Sequence, residues 1–306
     1  MALMPHKQAP NAMRRRIAVF PQYLLPKLAL TRLIGWLASR RGRGATRMAI
    51  RWFIRRYGVN MDEAAESRLG SYPSFNDFFT RGLRAGARPL ADADWLCPVD
   101  GAISQFGALK RDQIFQAKGH RYSSLALVGG DAGLAAQFDD GMFATLYLSP
   151  RDYHRIHMPC RASLRRMIHV PGELFSVNPG TALGVPNLFA RNERVVCVFD
   201  SDHGPFVLAL VGATIVGSMA TVWHGVVNPP RPGQLREWNY SGRNILLDRG
   251  ADMGRFLLGS TVVMLFPKNT LRFNSSWAPG EAIRMGEAMG SLCMGEAIGS
   301  LQSQRS

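Results

Sequence analysis

Apolar positions divide the chain into a helical N-terminal part and a strand-rich body. After Pro26, four apolar residues follow the i, i+3, i+4, i+7 spacing of one helical stripe, and they are Leu30, Leu33, Ile34 and Leu37. A second helix is predicted over about residues 46–57, where apolar and basic residues are mixed. Beyond about residue 95, runs rich in Val, Leu, Thr and aromatic residues predict strands over 142–148, 194–199, 205–211, 214–223 and 261–266.

The order of these elements predicts the fold class. The sequence contains no Gly-x-Gly-x-x-Gly, no Walker motif and no regular alternation of strands and helices, which argues against a nucleotide-binding Rossmann domain. Residues 200–204, Asp-Ser-Asp-His-Gly, separate two predicted strands and indicate a hairpin connection. We therefore predict an α+β fold, in which N-terminal amphipathic helices precede a mainly antiparallel β core.

A repeated octapeptide marks the C-terminal end of the chain. The sequence from Met285 to Leu292 recurs nine residues later from Met294 to Leu301 with one residue exchanged. Two copies are too few for a solenoid, and the unit is rich in glycine. We interpret residues 273–306 as a weakly ordered tail without a catalytic role, preceded by a basic helical arm (1–60) and a catalytic core (61–272).

Positive charge is concentrated in the arm. The chain carries 37 Lys and Arg against 22 Asp and Glu, a net charge of +15. Residues 1–60 hold 13 of the basic residues and no acidic residue, so the remainder of the chain is nearly neutral. Basic helices with Leu, Trp and Phe on the other face are typical of proteins that lie in the surface of an anionic membrane.

Other interpretations of the arm remain open at this stage. Its apolar stripe could pack on the core, its charges could form a solvated face, or it could bind nucleic acid. An Arg-rich, acid-free N-terminus also resembles a mitochondrial presequence. A membrane span within the arm is excluded, because its longest charge-free stretch, residues 17–26, has ten residues and two prolines, against the ~20 apolar residues that a spanning helix needs.

The four cysteines lie far apart in the sequence, without a Cys-x-x-Cys motif. This spacing argues against a disulfide framework and a Cys-rich zinc site, and it favours a reducing compartment. We expect each cysteine to be a small buried apolar side chain.

Two short segments contain candidate acids and bases. Asp100 precedes a glycine where a strand-like run begins, and such a dipeptide is a common turn. His154 and His157 lie three residues apart directly after a predicted strand. Together with Asp152 they could bind a metal, they could act as general base and general acid, or either could be structural.

A third segment contains a candidate nucleophile, because Gly259-Ser260 interrupts an apolar run. A serine hydroxyl that is activated by a histidine, itself oriented by a carboxylate, is a nucleophile. If Ser260 attacks the carbonyl before it, glycine leaves the approach open, the peptide shifts to an ester, and elimination gives dehydroalanine and then a pyruvoyl group. Asp100, His157 and Ser260 could form this triad, since triads recur in unrelated chain orders.

These residues lie in motifs that together resemble the phosphatidylserine decarboxylase family, of the bacterial and mitochondrial kind. The likeness runs from about Tyr23 to Pro267 and rests on the joint order and spacing of the motifs. The motifs are Phe75–Arg81, Pro98–Gly101, Tyr147–Pro159, Gly172–Asn178, Asn187–Arg194, Val211–Gly217 and Leu258–Thr261. The sequence departs from the family pattern before Tyr23, where the arm is long, over the irregular residues 238–243, and after about Phe273.

The resemblance implies a pyruvoyl-dependent carboxy-lyase that acts on phosphatidylserine. Asp100, His157 and Ser260 would form the self-cleavage triad, and the scissile bond would be Gly259–Ser260. The cut would leave a heterodimer of fragments 1–259 and 260–306, and Ser260 would become the pyruvoyl cofactor. The pyruvoyl carbonyl would form a Schiff base with the substrate amine and accept the electrons released with CO2. His154 is the candidate donor of the proton that then gives phosphatidylethanolamine.

Such an enzyme would lie peripherally on the cytoplasmic face of a bacterial cell membrane, with the mitochondrial inner membrane as the less favoured location. We expect no metal and no nucleic-acid partner. The alternatives are a serine hydrolase with the same triad, a metal enzyme built on His154, His157 and Asp152, a non-enzymatic basic binding protein, and a pyruvoyl decarboxylase of soluble amino acids.

Overall fold

The computed structural model describes residues 19–117, 119–214, 218–257 and 261–293. The helices are α1 (Pro21–Leu24), α2 (Lys27–Ser39), α3 (Arg43–Tyr57), α4 (Phe75–Phe79), α5 (Ser124–Leu127), α6 (Ala132–Ala136), α7 (Pro179–Gly184) and α8 (Leu188–Arg191), with a 3-10 turn at Leu69–Ser71.

Eighteen strands are found within the same residues. They are β1 (Trp95–Leu96), β2 (Gly101–Ala108), β3 (Gln113–Ala117), β4 (His120–Ser123), β5 (Met142–Tyr147), β6 (Arg155–His157), β7 (Ala162–Val170), β8 (Arg194–Ser201), β9 (Gly204–Val211), β10 (Met219–Thr221), β11 (Gly225–Asn228), β12 (Arg236–Asn239), β13 (Leu246–Leu247), β14 (Asp252–Phe256), β15 (Thr261–Phe266), β16 (Arg272–Phe273), β17 (Ala282–Ile283) and β18 (Ala288–Ser291).

The centre of the fold is an antiparallel sheet of nine strands. Its order is β12–β7–β8–β9–β15–β5–β2–β17, and β13 also pairs with β7. A four-stranded sheet (β11–β10–β14–β6), a three-stranded sheet (β1–β18–β16) and the hairpin β3–β4 surround it. This arrangement confirms the predicted α+β class, with N-terminal helices followed by a mainly antiparallel β core.

Both faces of the central sheet are buried, which explains the continuous apolar runs of its inner strands. Side chains alternate between the two faces of a strand. In β8, Val196 and Val198 join a cluster that includes Ile50 of the arm, whereas Val195 joins a second cluster with Met289 near the C-terminal end. The arm helices therefore contribute to the core on one side of the sheet, and the smaller sheets contribute to it on the other.

The two predicted arm helices are present, and each divides its apolar residues between the core and the surface. In α2, Ile34 packs against the core while Leu33 and Leu37 are more than half exposed. In α3, which begins three residues earlier than predicted, Ile50 and Phe53 are buried and Trp52 is exposed. The interpretation that the arm packs on the core is thus correct for one face of each helix. A second apolar face of each helix remains uncovered.

Polar contacts also fasten the arm to the body. The Gln22 amide donates to Thr181 Oγ1 and accepts from the backbone N–H of Ser176, both at 3.0 Å. Lys27 Nζ lies 2.8 Å from a carboxylate oxygen of Glu173. Of the helices that the structure describes, none is both long and apolar enough to cross a membrane.

Four of the five predicted strands are confirmed as β5, β8, β9 and β15, and the predicted hairpin joins β8 to β9. The fifth, over 214–223, was wrong in its extent. Only Met219–Thr221 forms a strand there, in the four-stranded sheet, and residues 215–217 lie outside the described part. The central sheet stops at Val211 because its partner β8 begins at Arg194, directly opposite.

The interpretation of residues 273–306 as a weakly ordered tail was wrong for residues 273–293. The first copy of the repeat forms β18, which is the middle strand of the three-stranded sheet, and Met289 is fully buried in the core. The reason is that the small residues of the repeat permit close packing, since a Cβ at Gly290 would overlap the Arg272 carbonyl. The second copy, residues 294–301, lies outside the described residues.

The cysteines are free thiols. Cys97, Cys160 and Cys197 are buried, as expected of small apolar side chains, and Cys293 is half-buried.

We predict that Gly290→Val lowers the thermal unfolding midpoint, because the added side chain would meet the Arg272 carbonyl and come within 2.6 Å of Leu271 Cδ1. Overpacking of this kind costs about 1–3 kcal/mol. The matched control is Gly35→Val in α2, where a Cβ meets nothing within 4 Å. Equal midpoints for the two variants, measured by differential scanning calorimetry, would contradict the packing of the first repeat copy.

Candidate active site

The loop that follows β5 carries both candidate histidines. Asp152 closes its first turn, since its carboxylate accepts from the backbone N–H of Ser149 at 2.6 Å and from the Ser149 hydroxyl at 2.7 Å. Burial raises the pKa of Asp152. The turn reverses the chain, so that His154 and then β6, which ends on His157, return along the edge of the four-stranded sheet.

His154 is fully buried and has one ring nitrogen without a partner. Its Nδ1 donates to the Asp152 carbonyl at 2.7 Å, which leaves Nε2 as the lone-pair nitrogen. Nε2 has no hydrogen-bond partner among the described residues. The ring packs 4.1 Å from the ring of Phe79, and burial lowers the pKa of His154 to about 3. At neutral pH this imidazole is neutral and presents an unused acceptor.

His157 has partners on both ring nitrogens. Its Nδ1 donates to the Gly250 carbonyl at 2.8 Å, and its Nε2 accepts from the Tyr153 hydroxyl at 2.9 Å. Burial is the main cause that lowers its pKa, against smaller opposite influences from the hydrogen bond to Gly250 and from the charges of Asp252 and Asp100. The ring is therefore neutral and held in a single tautomer, with its basic nitrogen facing a hydroxyl.

Asp100 is held by a cation and a backbone N–H. The guanidinium of Arg88 lies 3.0 Å from one carboxylate oxygen and 2.5 Å from the other, and the same guanidinium pairs with Glu63 at 2.7 Å. The N–H of Met285 donates to Asp100 at 2.8 Å. The first copy of the C-terminal repeat, which was expected to be a weakly ordered tail, thus supplies a direct partner to a candidate catalytic carboxylate.

The structure brings the backbones of Asp100 and His157 together without joining their side chains. The N–H of His157 donates to the carbonyl of Pro98 at 2.8 Å, two residues before Asp100. The His157 ring, however, is bonded to Gly250 and Tyr153, and Asp100 is bonded to Arg88 and Met285. Asp100 influences His157 here through its charge.

The glycine after Asp100 is required by a close backbone approach. A Cβ at Gly101 would overlap the carbonyl oxygen of Tyr147, because β2 and β5 are paired there. The Asp-Gly dipeptide, which alone indicates a common turn, here brings the backbone next to Asp100 against the end of β5.

A cavity of about 430 Å³ lies beside these groups. Its lining includes Asp100, Tyr153 and four arginines, which are Arg81, Arg88, Arg151 and Arg284. Elsewhere in the described chain, as in the cavity, no group of three or more His, Cys, Asp and Glu side chains is arranged to hold a metal ion.

Gly259 and Ser260 lie outside the described residues, but both ends of the gap are placed. On one side the N–H of Phe256 donates to the carbonyl of His154 at 3.1 Å. On the other, Thr261 begins β15 and pairs with Tyr147 and Val211. Thr261 is fully buried, and its hydroxyl has no partner among the described residues. The gap is therefore bounded by residues that contact His154 and the end of β5.

Several residues at this site carried no signal in the sequence. Arg88 and Glu63 are ordinary charged residues of a loop-rich region, and only the folded chain shows that they surround Asp100. Tyr153 lies within the motif 147–159, yet tyrosine beside histidine is not distinctive. Met285 acts through its backbone, which no side-chain pattern can indicate.

Comparison with known proteins gives a consistent result. A family model described as "Phosphatidylserine decarboxylase" matches residues 75–291, and one described as "PSD" matches residues 17–58. The first match continues past residue 273, so the expected departure from the family at that point was wrong.

Three proteins named phosphatidylserine decarboxylase proenzyme are similar along nearly their whole lengths. The protein from Dechloromonas aromatica is 71% identical over 279 residues, which cover 91% of this chain and 99% of the relative. The proteins from Azoarcus sp. and Albidiferax ferrireducens are 69% and 73% identical, over 94% and 90% of this chain and 100% and 96% of their own lengths. By these matches, the chain belongs to the phosphatidylserine decarboxylase family.

Proposed function

We propose that this chain is the proenzyme of a phosphatidylserine decarboxylase, which cuts itself between Gly259 and Ser260 and then converts phosphatidylserine to phosphatidylethanolamine and CO2. The supporting observation is that His154, with a buried and unused Nε2, contacts the segment that leads to Ser260 in a chain about 70% identical to named proenzymes.

In self-cleavage, Ser260 is the nucleophile and His157 the base. The Gly250 carbonyl fixes the Nδ1–H tautomer of His157, so that Nε2 is the basic atom, and its lowered pKa keeps it unprotonated at neutral pH. Because the Tyr153 hydroxyl already donates to Nε2, the serine proton reaches His157 either by displacing that hydroxyl or through it. Asp100 stabilises the resulting imidazolium by its negative charge.

The residues next to Ser260 fit a small polar group formed from it. The Thr261 hydroxyl and His154 Nε2 are both buried and have no partner in the part of the chain that the structure describes, as expected where a further polar group belongs. The pyruvoyl group supplies an electron sink for the electron pair that CO2 leaves behind. The body around it excludes water through the aromatic ring of Phe79 and the buried start of β15.

His154 is the proposed proton donor to carbon. A neutral His154 must first take up a proton at Nε2, and an anionic substrate favours this protonated form. Its low pKa then makes transfer of that proton onward favourable. The hydrogen bond from Nδ1 to Asp152 holds the ring in position for the transfer.

Fragments 1–259 and 260–306 would remain together as a heterodimer. The smaller fragment carries β15, which pairs with β5 on one side and β9 on the other, and both partners belong to the larger fragment. It also carries Met285, whose N–H donates to Asp100. Both parts of the site thus depend on contacts between the fragments.

The arm would place the core (61–272) at an anionic membrane surface, peripherally and on the cytoplasmic face. The uncovered face of α3 carries Met48 (71% exposed) and Trp52 (60% exposed), with Arg51, Arg55 and Arg56 beside them. Apolar insertion combined with basic charge gives reversible binding at such a surface. A substrate with two acyl chains is presented at this interface.

We predict that the wild-type protein separates into two chains that part after Gly259, with a smaller chain that lacks a free α-amine. Ser260→Ala should remain a single chain of full mass, because the nucleophile is absent. Intact-mass spectrometry of both proteins checks this. An uncut wild-type chain would contradict the proposal, and its labelling by a serine-reactive phosphonate would favour a hydrolase instead.

His154→Ala should self-cleave like the wild type but release CO2 from phosphatidylserine at least about a hundredfold more slowly, the loss typical for removal of a general acid. His203→Ala, at a half-buried histidine of the β8–β9 turn, is the matched control and should retain activity. An uncut His154→Ala protein, or a fully active one, would refute this division of roles.

Replacing Arg51 and Arg55 by Gln and Trp52 by Ala should weaken binding to vesicles that contain anionic lipid more than about tenfold, since each basic residue contributes about 1 kcal/mol. Deletion of residues 1–40 would also remove Val19 and Ala38, which belong to the core, so point substitutions test membrane binding more directly. The matched control is the double variant Arg111→Gln and Lys268→Gln, which removes the same amount of charge from exposed loops near the C-terminal end of β15. Equal binding in a vesicle sedimentation assay, or binding unaffected by salt, would contradict the electrostatic role of the arm.

A further inference from the structure

Apart from Phe79, the segment from Phe75 to Arg81 has no part in the mechanism above, although it is one of the motifs that carry the family resemblance. Its helix α4 is capped by Ser74, whose hydroxyl accepts from the N–H of Asp77, and it places Phe79 on the ring of His154. Two residues later the Arg81 side chain enters the cavity beside the site. The residue is only 5% exposed.

Arg81 differs from the other buried arginines in its partners. Arg88 is paired with Asp100 and Glu63. Arg194 donates to four backbone carbonyls, those of Ala126, Leu127, Ala190 and Asn192. Arg81 has a long 3.5 Å contact to the Arg151 carbonyl and lies over the ring of Phe78, 5.3 Å from its centroid, and its Nε is buried without a hydrogen-bond partner among the described residues.

An unpaired buried guanidinium is costly, and an anion that enters the cavity would remove this cost. Burial also lowers the pKa of Arg81, because removing the guanidinium from water destabilises its charged form. The cavity carboxylates act on Arg81 through their charge but form no ion pair with it, because Asp100 and Glu63 are bound to Arg88 and Asp152 is bound to Ser149. Arg81 is thus a buried cation of the cavity that no carboxylate of the described residues binds directly.

Arg81 is also close to the reaction centre. Its positive charge is one of the influences that lower the pKa of His154. The backbone carbonyl of Thr80, the residue before it, accepts from Arg155 Nε at 2.9 Å, which fixes this part of the chain to β6. An anion on Arg81 would therefore be bound by the segment whose Phe79 ring packs on the His154 ring.

The substrate of the proposed function offers two anions, a carboxylate and a phosphodiester. A cation paired with the carboxylate would stabilise the ground state and lose that interaction as CO2 departs, so it would slow the reaction. The phosphodiester lies three covalent bonds from the reacting carbon and keeps its charge throughout. A guanidinium matches phosphate oxygens with two parallel hydrogen bonds.

We propose that Arg81 binds the phosphodiester of the phosphatidylserine headgroup and thereby sets the position of the serine moiety against His154. This inference rests on the proposed function and names the group that recognises its substrate.

The test compares Arg81→Gln with Arg84→Gln, which removes the same charge from an exposed position three residues away. Both variants should self-cleave like the wild type, as measured by intact mass. With phosphatidylserine in detergent micelles, Arg81→Gln should lose at least about tenfold in kcat/KM, mainly through a higher KM, because hydrogen bonds to a charged group contribute roughly 1.5–3 kcal/mol. Arg84→Gln should match the wild type.

A second measurement uses soluble probes of the headgroup. Glycerophosphoethanolamine should inhibit the wild type at lower concentrations than ethanolamine or inorganic phosphate, and Arg81→Gln should lose this preference. Arg81→Lys keeps the charge but lacks the planar guanidinium, so its preference for glycerophosphoethanolamine should lie between those of the wild type and Arg81→Gln. It serves as the informative variant if Arg81→Gln does not fold.

The outcomes separate this inference from the proposed function. An unchanged KM in a cleaved, active Arg81→Gln protein would overturn the inferred role of Arg81 and leave the proposed function intact. Equal inhibition of the wild type by inorganic phosphate and glycerophosphoethanolamine would do the same. A loss confined to kcat, or an Arg81→Gln chain that folds but stays uncut, would assign Arg81 to the chemistry or to self-cleavage instead. A cleaved wild type without decarboxylase activity would overturn the proposed function, and this inference with it.

Discussion

The position of β15 in the middle of the central sheet is the constraint on which the rest of the structure depends. Its six residues are all fully buried, and its backbone is hydrogen-bonded to β5 on one side and to β9 on the other. The proposed cut falls immediately before its first residue, so none of these pairs involves the peptide bond that is broken. A chain cleaved at this point keeps its central strand, and Thr261, the residue after the new terminus, is held where β5 ends and the histidine loop begins.

Around that terminus the protein combines satisfied and unsatisfied polar groups. Asp100 has a cation and a backbone N–H as partners, and His157 has partners on both nitrogens. In contrast, His154 Nε2, the Thr261 hydroxyl and Arg81 Nε are buried without partners among the described residues. Unsatisfied buried groups reduce stability, and native proteins retain them chiefly where a ligand or a reacting group completes them. Other buried groups of this kind lie elsewhere in the described chain, such as Trp95 Nε1 and His169 Nδ1, but these three belong to residues that border the gap before β15 or the cavity beside it.

The two long helices of the arm bury one face in the core and expose the other. One face of α2 and α3 contributes Ile34, Ile50 and Phe53 to the core, while the opposite face exposes Trp36 and Trp52 among arginines. A helix that is fixed in the core by one face presents the other at a constant angle to the body. The membrane contact proposed for the arm would therefore orient the site with respect to the lipid surface as well as attract it there.

The sequence by itself determined the elements whose pattern is local. Alternating and continuous apolar runs identified β5, β8, β9 and β15, helical spacing identified α2 and α3, and the order of short motifs identified the family, because each depends on residues close together in the chain. Only the tertiary structure decided what those elements pack against. Residues 273–293 belong to the core because β18 fits between β1 and β16. Asp100 meets Arg88 and Met285 rather than the His157 ring because distant segments converge there. Periodicity specifies how much surface a segment must bury, but the partner that buries it is chosen by packing between segments far apart in sequence.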